Sequence, residues 1–207
     1  MTAGRDPLRG FGVDIVKERE VACRVQTSIE RFYELDRVAD VAHFVTKSEG
    51  RERLYVHEAD DGAIEMVLEL PRLGRDGGGL DGLCQIIEGV SHFVYVTTRA
   101  SEDRGATALE LEMQAEVDKW VVLAGDLESL DVGRSRALRA ALFEDVAFAD
   151  AEGSELGERY RVANRTALRF VRRLERAYLA ERRLDGLRRE LHAFFRSGQE
   201  DKLRRAT

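Results

Sequence analysis

The sequence predicts an α+β fold, predominantly helical, with a small antiparallel β-hairpin or three-strand meander. Three observations carry that expectation. Pro7 and Pro71 are the only prolines, so little blocks helix propagation beyond the N-terminus. Apolar residues recur at spacings of three and four over long stretches, most persistently from Tyr160 to Tyr178. Period-two alternation is concentrated within residues 53–70. A hydrophobic content of 43% against 35% charged residues supplies a core and a solvated surface, which excludes collagen-like, low-complexity and disordered classes.

Residues 1–12 mix Gly, Pro and charge without periodicity and read as a flexible leader. From Val21 to Val45 the positions Val21, Val25, Ile29, Phe32, Leu35 and Val38 make one face of an amphipathic helix. The runs RLYVHE and IEMVLEL alternate as strands, with Asp60, Asp61 and Gly62 between them suited to a tight reversal. The preceding AHFVTK offers a third strand. Gly74 to Gly82 reads as a linker rather than a phosphate cradle, because no Gly-Lys-Ser/Thr follows it. Asp81 then looks like the N-cap of a helix.

Residues 83–99 are apolar on nearly every side and predict a buried helix, although Val94 to Thr98 is β-branched. The segment around residues 107–123 fits both periods; its length and its Ala, Leu, Glu and Met decide for helix. A shorter helix follows from Arg134 to Phe148, and Ser154 caps the next. Tyr160, Ala163, Ala167, Val171, Leu174 and Tyr178 share one stripe, and a further helix spans Leu184 to Phe195. The whole is expected to form a single domain, with a leader (1–12), an acidic α+β body (13–150) and a basic helical segment (151–207) packed on that body.

Charge supports this division. Residues 151–207 carry 15 basic and 9 acidic side chains, while the chain as a whole has a net charge of −6. Only Lys17, Lys47, Lys119 and Lys202 are lysines, so arginine supplies nearly all positive charge, a usage consistent with a GC-rich bacterial genome. The acidic total disfavours a general grip on nucleic acid, and the basic segment is expected to dock on its own body. No run approaches the length of a transmembrane helix or a signal peptide, so no membrane partner is expected. Cys23 and Cys84 stand alone, as two buried thiols of a cytoplasmic protein would.

Three groups of polar residues are candidates for function. Glu88 and His92 lie four apart on one helical face in apolar surroundings, where each needs a partner. On the next helix Glu112, Glu116 and Lys119 share one face, and Glu110, Gln114 and Asp118 another. If Glu112 and Glu116 face Glu88 and His92, the four could hold a divalent metal, as in a metal-dependent hydrolase or nuclease. Against this, the di-iron pattern of helical bundles uses Glu-x-x-His twice, and here a Glu-x-x-x-His occurs once. The third group is the ridge Arg161, Asn164, Arg165 and Arg169, which could bind phosphate or neutralise Glu110, Glu112 and Glu116 internally. No nucleophile elbow, HExxH or dinucleotide fingerprint is present. The leading expectation is a non-enzymatic protein that binds another protein; the metal-dependent enzyme is the alternative.

Overall fold

A computed structural model describes residues 15–58, 64–73, 79–148 and 150–207. The elements run α1 (Val16–Tyr33), a 3₁₀ turn (Val41–His43), β1 (Val45–Lys47), β2 (Arg53–Glu58), β3 (Ile64–Leu70), α2 (Gly79–Ser101) and α3 (Ala108–Ala124). Then follow α4 (Val132–Arg139), α5 (Glu155–Leu174), α6 (Leu184–Arg196) and α7 (Gln199–Arg205), with α4 and α5 each running into a π turn, Ala140–Glu144 and Glu175–Leu179. The fold is therefore α+β and mostly helical, as the sequence predicts. The expected leader, and the expected Asp60–Asp61–Gly62 reversal, lie outside the described residues.

Three boundaries differ from expectation for local reasons. The first helix ends at Tyr33 and not near Val45: Glu34 turns left-handed (φ 55°), and the Leu35 N–H returns to Glu30 O at 2.9 Å. Asp81 is not an N-cap but lies inside the first turn of α2, where its Oδ2 accepts from Gln85 Nε2 at 2.7 Å. The sheet is mixed, not a purely antiparallel meander: its order is β1-β3-β2, with β2 antiparallel and β1 parallel to β3. The central place falls to β3, whose Leu68 and Leu70 are both fully buried. Ser154 caps α5 as expected, and Thr107 and Asp131 cap α3 and α4, each accepting from a backbone N–H three residues on.

Antiparallel packing of α2 and α3 forms the centre. The helix α1 and the sheet lie against α2, and α5 lies against α3. Close approach of sheet and helix depends on Gly89: a Cβ there would stand 2.8 Å from Leu68 Cδ1 and 3.2 Å from Glu52 Oε2. The core is built on Tyr33, Phe93, Tyr95, Trp120, Phe170 and Phe194, all completely buried. The stripe of α5 buries Ala163, Ala167, Val171 and Leu174 as expected, while Phe194 stacks on Phe170 at 4.4 Å. α7 closes the structure with an unusual anchor, Lys202. Its Nζ is buried, donating to Gln114 Oε1 and Phe194 O at 2.6 Å each, and lies 4.3 Å from the Phe194 ring centre.

Candidate functional site

The central helix α3 is enclosed on nearly every side, yet carries Glu110, Glu112, Glu116, Asp118 and Lys119, all buried. Burial of unpaired charge is costly, so each of these side chains must be met by a partner from a surrounding element. The two polar faces expected from the sequence meet two different environments. On one face, Glu110 Oε1 accepts from Arg99 Nη2 (2.6 Å) and Tyr95 OH (2.5 Å). On the same face Asp118 accepts from Tyr33 OH (2.7 Å), Ser91 Oγ (2.6 Å) and Gln114 Nε2 (2.8 Å). This network ties α1, α2, α6 and α7 to α3, and both of its carboxylates are met by donors.

The other face is different. Glu112, Glu116 and Lys119 meet Glu88 and His92 of α2, so the four residues proposed as a catalytic or metal-holding group converge. Lys119 Nζ lies 2.9 Å from Glu116 Oε1 and 3.3 Å from Glu88 Oε2, and His92 Nε2 lies 3.5 Å from Glu112 Oε2. A fifth member, Glu52, enters from the loop before β2, with its backbone N–H directed to Gln85 Oε1 at 3.3 Å and its carboxyl beside Glu88. Nothing in the sequence singled out Glu52, because it sits in a polar stretch where an acid is expected to be solvated. Tyr160 of α5 completes the group.

The ionisation states follow from this crowding. Burial, reinforced by the charges of Glu88 and Glu112, raises Glu52 from 4.5 to about 8, so it is mostly a neutral acid at pH 7. Burial opposes charge on His92, but Glu112 at 3.5 Å and the surrounding carboxylates outweigh it and raise it to about 9. Glu116 is raised by burial, with Lys119 only partly compensating. Burial would raise Glu88 too, but Lys119 and His92 hold it below the usual carboxylate range. Lys119 is raised despite burial by Glu116 and Glu88. Two acceptor atoms stay unused: Glu52 Oε2 and Glu116 Oε2 are buried without a hydrogen-bond partner in the protein.

The cluster opens on two clefts. The larger, about 450 Å³, has Glu88, Glu116, Lys119 and Tyr160 at its floor and Leu80, Leu142, Val146 and Phe148 among its walls. The smaller, about 280 Å³, reaches Glu52, His92 and Glu112 from the β2 side. Tyr160 lines both and so stands as the partition between them. Cys84, also at the larger cleft, is a free thiol raised to about 11 by burial, so at pH 7 it is protonated and unreactive.

Several expectations need correcting here. Glu116 and Lys119, which at i, i+3 would be read as a solvated surface pair, are both buried. Glu88 does not pair with His92; both reach across to α3. The arginine ridge does not neutralise the acidic helix, because Arg99, Lys119 and His92 already occupy Glu110, Glu116 and Glu112. Arg161 instead contacts Glu158 at 3.9 Å, donates to the carbonyls of Asp150 and Ala151, and lies 5.0 Å from the ring centre of Phe148. Asn164 is buried in the α5 stripe, whereas Arg165 and Arg169 are exposed and make no ion pair among the described residues. The cysteines are half-buried and unpaired. For a metal, the decisive neighbour is Lys119, whose ammonium occupies the space between Glu88 and Glu116. Among the described residues no three His, Cys, Asp or Glu side chains are grouped to hold an ion.

Fold and site together define a mostly helical α+β protein with a charge-dense cleft between its two central helices. Among the described residues no helix is long and apolar enough to cross a membrane. Comparison with protein families, curated proteins and solved structures finds no match for this chain.

Proposed function

We propose that this chain is a binding protein of the cytoplasm whose ligand is a small organic cation, an ammonium group on an apolar body, held in the larger cleft. The observation that carries the reading is the unused Glu116 Oε2, buried at the floor of a cleft with apolar walls. A concave, largely apolar cavity with a few convergent polar groups is the usual form of a small-molecule site. Its charge selects the ligand's sign: Asp81, Glu88, Glu116, Asp145 and Asp150 line it against Arg51 and Lys119. Lys119 supports the choice of an ammonium, since its own Nζ is already accepted by two carboxylates there. Leu80, Val146 and Phe148 would cover the ligand's apolar part.

Binding is favoured over catalysis because, among the described residues, the one thiol lining the cleft, Cys84, is held protonated. The two unpaired thiols fit a reducing compartment. The metal-dependent hydrolase or nuclease reading would need Lys119 to leave the carboxylates it bridges. A protein partner has one observation in its favour, the exposed Tyr55 and Val67, which face each other across β2 and β3 on the open side of the sheet.

The test is calorimetric titration with n-hexylammonium and, separately, with Mn²⁺. Saturable amine binding that weakens about tenfold or more in Glu116→Gln, with the fold retained by circular dichroism, is expected. Stoichiometric Mn²⁺ binding lost in the same variant, with no amine binding, would replace this reading by the metal one.

A further inference from the structure

On the opposite side of α3 from the acidic cleft, the C-terminal helices form a second concavity of about 870 Å³ with the reverse charge. It is assembled from three separate elements: Arg104 from the α2–α3 turn, Arg188, Arg189 and Arg196 from α6, and Arg205 from α7. On α6, Arg189, His192 and Arg196 lie three to four residues apart and share a stripe, so their side chains project into the groove from one face. His192 is fixed at its wall: its Nε2 lies 2.8 Å from Phe32 O, and its ring packs on Phe32 and Tyr33.

Convergence of like charges is unfavourable unless something neutralises them, and the local carboxylates do so only in part. Three acids, Glu34, Asp185 and Asp201, line the groove against five guanidinium groups, and Asp201 is already bound to Arg204. Arg188 reaches away to Glu128 at 3.3 Å, and Arg205 shares Glu190 with Arg173. Arg189 and Arg196 are exposed and make no ion pair or hydrogen bond among the described residues.

We infer that this groove binds a compact phosphate-bearing anion, with Arg189 and Arg196 supplying the principal contacts. Guanidinium forks match phosphate oxygens in a bidentate way that the compact ammonium of lysine cannot. A compact anion is selected over a long nucleic acid because the charge is local. The arginines of the groove come from α6, α7 and the α2–α3 turn, while the chain as a whole carries −6 and would repel an extended polyanion. This site is independent of the amine cleft, and neither needs the other.

Calorimetric titration with inorganic pyrophosphate, at low and at physiological salt, tests the inference. Saturable binding that weakens with salt is expected, together with a loss of about tenfold or more in the double variant Arg189→Gln, Arg196→Gln. Both positions are exposed, so the variant should keep the wild-type melting temperature, and the double variant Arg165→Gln, Arg169→Gln on the α5 surface serves as a charge-matched control that binds normally. The inference is overturned by absence of pyrophosphate binding, by equal loss in the control, or by tight binding of a single-stranded RNA oligomer with none of pyrophosphate.

Discussion

Replacing Lys119 by Met removes the one cation that bridges Glu88 and Glu116 while keeping most of the side chain's volume. The ammonium stands 2.9 and 3.3 Å from the two carboxylates, and Lys119 is only 8% exposed. Removing one partner of a buried ion pair costs about 3–5 kcal/mol, because the remaining charge is left unpaired. A second route caps the loss: a stranded glutamate can take up a proton, at about 1.4 kcal/mol for each pH unit above its ordinary pKa. At pH 7.5 neutralising one carboxylate therefore costs about 4 kcal/mol, and at pH 5 less than about 1 kcal/mol. The variant is expected to lose about 4 kcal/mol at pH 7.5, equivalent to roughly 8–16 °C in melting temperature for a chain of this size. Most of that deficit should vanish at pH 5, because both carboxylates then fold protonated at little cost. Urea denaturation followed by circular dichroism at the two pH values measures both numbers. The double variant Lys119→Met, Glu116→Gln should recover part of the loss at pH 7.5. A loss below about 1 kcal/mol at pH 7.5, or one of equal size at pH 5, would refute the buried triad as the source of the stability.

The wild-type protein should itself lose stability as pH rises. Glu52, raised from 4.5 to about 8, keeps in the fold a proton that the unfolded chain has released, so stability falls between those values. His92, raised from 6.5 to about 9, contributes stability that is complete below 6.5 and lost as pH passes about 9. Unfolding at pH 6 and pH 9 should differ by a few kcal/mol, and Glu52→Gln should flatten the part below pH 8; greater stability at pH 9 would contradict both assignments. Gly89→Ala should cost about 1–3 kcal/mol despite the better helix former, because its methyl would press on Leu68 and Glu52; an unchanged melting temperature would show that α2 and the sheet can separate freely. Arg165→Glu should leave stability within about 0.5 kcal/mol, since Arg165 is exposed and makes no ion pair among the described residues; a large loss would restore internal neutralisation by the arginine ridge.

The helical class, the placement of β2, β3, α2, α3, α5 and α6, and the division of α3 into two polar faces were legible in the order of the residues. These are periodic properties, and a period of 3.6 or 2 is written in consecutive residues. The facing of Glu88 and His92 by Glu112 and Glu116 stands there only as a condition for the metal alternative, beside the favoured pairing of the acids with arginines. How the charges are matched depends on contacts between segments far apart in the chain. Lys119 reads as a solvated i, i+3 partner of Glu116 until α2 covers it, and Glu52 reads as a loop residue until Gly89 lets the sheet close on the helix. Arg165 and Arg169 look suited to the acids of α3, yet α5 turns them to solvent while its small residues, Ala163 and Ala167, pack inward. The parallel pairing of β1 with β3 was likewise illegible, since strand order depends on which strand can be buried along both edges. Helix and strand period fix which residues share a face; the choice of the opposing face is made between segments far apart in the chain, by packing and by the cost of leaving a charge unpaired.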